Sequence, residues 1–493
     1  MSPPPRLLVL LPVLLLGACG RSEGPSVVLI TVDTLRSDHL ATYGYWRMTS
    51  PNIDALADRG VLFETSYSQT NSTNPSHTTL FTGRHVRAHG VADNLTAFDC
   101  REIRTLAERF QEAGYRTGAV VSAAHLNGAH SGLDRGFDDF VDVQARHGAS
   151  EPDYVEWTRP AAEAVSAAKS WIRVHGTRPY FLWLHLFDTH LPYVPEEEFE
   201  RLFVERLAGR VDLMKKLHRK QIAPERIFQQ NPDLAPMERV LFQAVHDHEI
   251  PADALIYNGV GWTEEEIETL TALYDSEIAQ VDHALGELID ALDWDGGRPL
   301  VVLTGDHGEA FGKGGIYFDH RGIFEPSVRV PLIIAWENVA DAGRRISEPV
   351  QAIDVAPTIL ELAGLGIPDD LPGQSLAGVV AGTDLPIPRP IFIEHANRSA
   401  VAMVDGRWKL ILSLLSDSKS DDDLVYRHEA LALYNLEIDP SESTDLSESE
   451  PIRLSRMVNA TLSWLAANAE RERVATELTP EVRERLAALG YLE

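Results

Sequence analysis

Three long apolar runs constrain what this chain can fold into. Ser26 to Val32, Tyr180 to Phe187 and Leu300 to Thr304 are rich in β-branched, aromatic and leucine side chains and lack a regular polar alternation. That pattern belongs to strands buried on both faces of a parallel sheet. Each run stops at polar residues: Asp33 after the first, Asp188-Thr189-His190 after the second, Gly305-Asp306-His307-Gly308-Glu309 after the third. Between them lie helix-like stretches, Asn52 to Arg59, Ile103 to Ala113, Ala161 to Arg173 and Thr263 to Leu292, together with a further strand at Thr117 to Ser122. Alternating helix and strand is the pattern of an α/β fold, whose ligands collect at the carboxyl edge of the strands. The polar ends of the three runs are therefore expected to share one site.

A fourth segment joins them. Thr73-Asn74-Pro75-Ser76-His77 opens a short run from Thr78 to Thr82 that Gly83 stops. Asn74 suits an N-cap, Pro75 the first helical position and Gly83 the residue past the end, so Thr73 is expected immediately before a helix. The unpaired N–H groups and dipole of that helix would hold an anion beside the Thr73 hydroxyl. Asp33, Thr73, Asp306 and His307 offer two carboxylates, a hydroxyl and an imidazole, a donor set that suits a divalent metal. Such an ion would lower the hydroxyl's pKa and make Thr73 a nucleophile near neutral pH.

Composition limits the partners. The net charge of −30 argues against nucleic acid, whose phosphates are held by Lys and Arg clusters. An anionic substrate then calls for a local cation such as a bound metal. Arg6, the apolar run Leu7 to Leu16 and Gly17-Ala18-Cys19 read as an export signal, too short to span a membrane. Leu16-Gly17-Ala18-Cys19 resembles the bacterial lipobox. That implies cleavage before Cys19, a lipid on it and anchorage in the bacterial cell envelope. The expected organisation is a signal at 1–19, a tether at 20–25, a catalytic domain at 26–385 with a charged helical insertion at 196–261, and a smaller α+β subdomain at 386–493. The proline-rich span Pro368 to Pro390 marks the boundary. Short strands are expected at Ile391–Ile393, Ala400–Val404 and Trp408–Leu412, and a helix at Pro451–Ala467. With Cys19 acylated, Cys100 has no partner for a disulfide.

Val32-Asp33-Thr34-Leu35-Arg36-Ser37-Asp38-His39, Thr73-Asn74-Pro75-Ser76-His77, Phe187-Asp188-Thr189-His190-Leu191-Pro192-Tyr193 and Thr304-Gly305-Asp306-His307-Gly308-Glu309 resemble, in order, the motifs of the sulfatase family within the alkaline phosphatase superfamily. Gly406-Arg407-Trp408-Lys409-Leu410 and Leu433-Tyr434-Asn435-Leu436 resemble that family's C-terminal subdomain. The resemblance implies a mixed, largely parallel sheet sandwiched by helices. It implies one metal on Asp33, Thr73, Asp306 and His307, with His190 and His320 at the transferring group or leaving oxygen, and substrate contacts from Asn74, His77 and Lys313. Two departures bear on the chemistry. Sulfatases carry Cys or Ser at the Thr73 position, oxidised to formylglycine, and Arg at His77; threonine cannot give that aldehyde. A Thr nucleophile and Thr-x-Pro-x-His resemble phosphodiesterases and phospho-group transferases of the same superfamily, which points to a phosphate mono- or diester or a phosphonate. Thr34 stands where many sulfatases have a second Asp, which favours zinc or manganese over calcium or magnesium. The same residues fit three alternatives: a sulfuric ester hydrolase without formylglycine, a phospho-group transferase and a non-catalytic tethered binding protein. A second metal on Asp188, His190 and His395 is a further alternative.

Overall fold

The computed structural model describes residues 24–143, 158–204, 263–292, 299–337, 340–396, 398–414 and 431–468. The export signal, residues 20–23 of the tether and residues 205–261 of the insertion lie outside the described residues.

The three apolar runs are neighbouring strands. The main sheet is built from β1 (Val27–Val32), β2 (Val61–Tyr67), β3 (Arg116–Val120), β4 (Asp139–Val141), β5 (Tyr180–Leu186) and β6 (Leu300–Gly305). A small hairpin of β7 (Ala310–Phe311) and β8 (Tyr317–Asp319) precedes β9 (Arg329–Ala335), β10 (Arg344–Ile346) and β11 (Val350–Gln351). The order is β10-β2-β9-β6-β1-β5-β3-β4, with β11 also on β2. Only β9 runs against its neighbours, so the sheet is mixed and largely parallel. In β1, Val28, Ile30 and Val32 enter one core with the helices Ala161–His175 and Glu264–Ala291. Val27 and Leu29 enter a second core with the helices Leu106–Glu112 and Val355–Leu362. Helices cover both faces, and this is why the strands carry no polar alternation.

Strands β5 and β6 flank β1, both parallel to it and in register, Val32 lying opposite Leu186 and Gly305. Their carboxyl ends therefore form one contiguous edge carrying Asp33, Asp188 to His190, and Asp306-His307.

Beyond Pro390 the chain forms an antiparallel sheet of β12 (Ile391–Glu394), β13 (Ala400–Asp405), β14 (Trp408–Ser413) and β15 (Leu431–Asn435). The helix Pro451–Ala467 covers one face through Met457. The other face packs on Tyr67, Ala310, Ile323, Phe324 and Val328 of the larger domain. The β14 residue Lys409, wholly buried, bridges the two parts: Nζ lies 3.0 Å from Glu325 and 2.9 Å from Glu442. Lys409→Met strands two buried carboxylates and is expected to cost about 3–5 kcal/mol, read by denaturant unfolding.

Candidate active site

The Thr73 segment departs from the sequence expectation by one or two positions. Helix α1 (Thr73–Thr82) begins at Thr73, with Ser72 as N-cap and Gly83 as the left-handed C-cap at φ 65°. Asn74 is inside the first turn, not the cap. Ser72 makes no side-chain capping bond; its hydroxyl instead donates to Asn94 Oδ1 at 3.0 Å. The same oxygen accepts from the Asn74 backbone N–H at 2.8 Å. Asn94, from a distant loop, thus caps the helix by gripping the residues on either side of Thr73.

Thr73, Asp33, Asp306 and His307 are fully buried and converge. Thr73 Oγ1 lies 3.2 Å from His307 Nε2. That nitrogen is 3.5 Å from Asp306 Oδ2 and 3.9 Å from Asp33 Oδ1. Each carboxylate has one oxygen tied down. Asp306 Oδ1 accepts from the backbone of Thr34 at 3.1 Å and of His307 at 2.7 Å, and Asp33 Oδ2 faces His185 Nε2 at 3.4 Å. The other oxygens, Asp33 Oδ1 and Asp306 Oδ2, are buried without a hydrogen-bond partner. His307 Nδ1–H points to the Gly308 carbonyl at 3.1 Å, which leaves the Nε2 lone pair facing both. Two orphaned anionic oxygens and an imidazole lone pair around one point fit a divalent cation. Among the described residues this is the one cluster of three such groups. Burial, then the charges of Asp306 and Glu309, hold the Asp33 carboxyl well above its usual range, and burial lifts Asp306 to about 6. A bound cation would return both to the carboxylate form.

The polar layer beneath explains the geometry. Thr31, His185 and Thr304 are registered neighbours one residue before the ends of β1, β5 and β6. Trp183 Nε1 donates to Thr31 Oγ1 at 2.9 Å, and Thr31 Oγ1 pairs with His77 Nε2, also at 2.9 Å. His77 Nδ1 meets the Thr73 carbonyl at 2.8 Å. Both His77 nitrogens are therefore occupied inside the protein, and burial lowers its pKa. This corrects the substrate contact expected of His77: it fixes the turn that carries Thr73. Ser76 Oγ donates to the Asp306 carbonyl at 2.6 Å, tying the helix to the loop that carries Asp306 and His307.

Lys313 is likewise placed elsewhere. Its ammonium donates to the Glu442 carbonyl and lies over the rings of Phe324 and Tyr434, so it serves the contact with the smaller sheet. Asn74 Nδ2 donates to the Thr96 carbonyl at 2.7 Å. Asp188 Oδ1 accepts from Ala161 N at the start of the helix Ala161–His175, and from Gln280. That employs it as a cap, and His395 pairs with Ser399 Oγ at 3.1 Å. The second-metal alternative is not assembled from these residues.

His190 and His320 do reach the opening. Both are half-buried, their rings 5.7 Å apart, and the His320 ring is 4.3 Å from that of His307. His190 Nδ1 is bound to the Leu191 carbonyl and His320 Nδ1 to the Asn71 carbonyl, each at 2.6 Å, which fixes Nε2 as the unprotonated nitrogen. Burial lowers His190 to about 4, and burial with neighbouring histidines lowers His320 well below its usual value.

Sequence reasoning missed three contributors. Asn94 Nδ2 is buried, 2.8–3.0 Å bonds at its own Oδ1 hold it beside Thr73, and it has no partner. His185 lies within an apolar strand, where its pairing with Asp33 is invisible. His125 is fully buried among His190, His130, His77 and His307, which together with burial lower its pKa. It follows β3 at the same sheet edge, and a histidine just beyond a buried strand was the available signal.

Comparison with known proteins agrees with this fold. The Sulfatase family profile matches residues 25–365, and the profile of the N-sulphoglucosamine sulphohydrolase C-terminal region matches residues 312–465. A choline-sulfatase of Rhizobium meliloti is 25% identical over 468 residues, covering 86% of this chain and 83% of the relative. Arylsulfatase K of Xenopus laevis is 26% identical over 438 residues, covering 83% and 76%. The phosphonate monoester hydrolase of Agrobacterium radiobacter shares the fold, with a TM-score of 0.63 at 24% identity over 93% of this chain and 98% of that one. A solved structure of a protein in complex with its substrate D-glucosamine-2-N,6-O-disulfate superposes at a TM-score of 0.66 with 18% identity, covering 90% and 98%. The chain belongs to the sulfatase family and is an ester hydrolase of that family.

Proposed function

We propose that the chain hydrolyses phosphate mono- or diesters, or phosphonate esters, through Thr73, with a covalent phosphothreonine on the path. The observation that carries this reading is a threonine hydroxyl at a helix N-terminus, 3.2 Å from His307 Nε2 and beside the orphaned oxygens of Asp33 and Asp306. Asp33, Asp306 and His307 would hold one divalent ion, zinc or manganese by the character of the donors. Such an ion supplies positive charge that lowers the pKa of the hydroxyl and stabilises charge on the ester oxygens.

The chain's own groups do the rest. Thr73 Oγ gives its proton to Nε2 of His190 or His320 and attacks phosphorus in line; a new O–P bond forms as the bond to the leaving oxygen breaks, and that oxygen departs with the electron pair and takes up the proton from the histidine. The Asn94 Nδ2 donors, beside the positive end of the α1 dipole, receive the non-bridging oxygens. His190 and His320, neutral with Nε2 unprotonated, accept a proton from the water that then attacks phosphorus and releases Thr73. Threonine restricts the nucleophile to ester formation, which is why phosphoryl transfer is favoured over the aldehyde chemistry of formylglycine.

The family relatives named as sulfatases support a second reading, in which the same hydroxyl acts on a sulfate ester. A panel of aryl phosphate, phosphodiester, phosphonate and sulfate esters separates the two. The proposal expects phosphorus esters to be turned over faster than the sulfate; sulfate turnover dominating the panel would overturn it.

Asn94 gives an independent check. Asn94→Asp keeps the acceptor that caps α1 but removes the amide donor. It is expected to lower kcat/KM roughly tenfold to a hundredfold, the worth of a hydrogen bond to a charged oxygen, while the melting temperature holds. Asn94→Ala should lose both. Equal activity of Asn94→Asp and the parent would assign the residue to capping alone.

A further inference from the structure

The sequence before the first strand and the position of that strand bear on how the enzyme sits in the cell envelope. The lipobox-like Leu16-Gly17-Ala18-Cys19 would place a lipid anchor on Cys19. The described chain begins at Gly24, against Tyr115 and the Ala363 carbonyl, and enters the sheet at Ser26. Ser26 holds the amino ends of both flanking strands: its carbonyl accepts from Leu300 N at 2.9 Å and its hydroxyl from Tyr180 N at 3.3 Å. The anchor thus leaves from the middle of the amino edge of the sheet.

We propose that lipid anchorage turns this amino edge toward the bilayer and the catalytic edge away from it, so that the substrate is a water-soluble anionic ester and not a membrane phospholipid. The substrate half rests on the phosphoester reading above; the orientation does not. From Cys19 to Gly24 the chain reaches at most about 18 Å when fully extended. Strand β1 then separates Ser26 from Asp33 by about 23 Å. A globule of this length has a radius of gyration of about 23 Å. A tether this short cannot pass around such a body to bring the opposite edge to the headgroups. The face set toward the bilayer includes the last turn of the helix Ala161–His175, where Val174 is 68% exposed beside Arg173 and His175.

The test uses the full-length chain produced in a bacterial host and reconstituted in phosphatidylethanolamine-containing liposomes that carry a headgroup quencher. With Cys100→Ser as background, one fluorophore is placed at Val174→Cys and, in a second protein, at Met48→Cys. Met48 is 68% exposed just before the helix Pro51–Asp58, whose start lies toward the catalytic edge. The proposal expects several-fold stronger quenching at position 174 than at 48; equal or reversed quenching overturns it. Mass spectrometry of the mature N-terminal peptide should find Cys19 as the first residue and carrying acyl chains; an N-terminus without lipid on Cys19 would overturn the anchor. On the same liposomes an added soluble aryl phosphate should be hydrolysed while the phosphatidylethanolamine headgroup is not released. Headgroup release overturns the substrate half. Failure on the aryl phosphate alone would count against the phosphoester reading and leave the quenching result standing.

Discussion

Thr73→Ala is expected to abolish turnover of an activated aryl phosphate, lowering kcat on the order of 10⁴-fold or more, as removal of a nucleophile does where it acts in concert with its site. Thr73→Ser should retain most of the activity, because it keeps the hydroxyl that faces His307 Nε2. Both variants should fold. Thr73 contributes one small buried side chain, while α1 is held by Asn94, His77 and Ser76. A circular dichroism melt alongside the kinetics separates lost chemistry from lost structure. The mutation also separates the enzymatic reading from a tethered binding protein, which needs no hydroxyl at the end of α1.

Removal of the divalent ion is expected to cost comparable activity, about 10³-fold or more, since the charge that stabilises the ester oxygens goes with it. Asp306→Ala should do the same without a chelator. The effect on stability has a definite sign. Without a cation, burial holds Asp33 well above its usual pKa and Asp306 at about 6. A carboxyl whose folded pKa is raised binds its proton more tightly when folded. Its contribution is complete below the unfolded value near 4 and is lost as pH rises through the folded value. The chelated protein should therefore be less stable at pH 8 than at pH 5. Zinc or manganese at a hundredfold its Kd should stabilise the pH 8 form by about 2.7 kcal/mol. Thermal melts at the two pH values, with and without the ion, check this. A melting temperature indifferent to divalent ions at pH 8 would contradict the site.

The residues that would hold the ion were legible as a cluster because they depend on strand ends. Asp33, Asp306 and His307 follow runs too apolar to be anything but doubly buried strands, and parallel order alone brings those ends together. Thr73 was legible as a helix start, though its cap was misassigned: Pro75 drew the boundary toward Asn74, whereas the capping side chain is supplied from residue 94. His77 and Lys313 show where residue type misleads. Each is a polar group beside the site in sequence, yet His77 turns down onto Thr31 and Lys313 turns to Glu442. The direction of a side chain on a short helix or glycine-rich loop is set by tertiary packing, which local spacing does not encode. Asn94, His125 and His185 come to the site from a loop, a short helical turn after β3 and a strand interior for the same reason. β15 was not anticipated as a strand, since its short run gains a buried face only by pairing with β14.

The central claim is that the hydroxyl of Thr73 itself takes the phosphoryl group. Acid-quenching the metal-loaded enzyme during the first turnovers of a slow phosphate ester, followed by peptide mass spectrometry, tests it directly. The account predicts one phosphoryl group on the peptide containing Thr73, formed in a burst with the leaving alcohol and missing from Thr73→Ala. Full turnover with no adduct on that peptide, or an undiminished burst in Thr73→Ala, would contradict it.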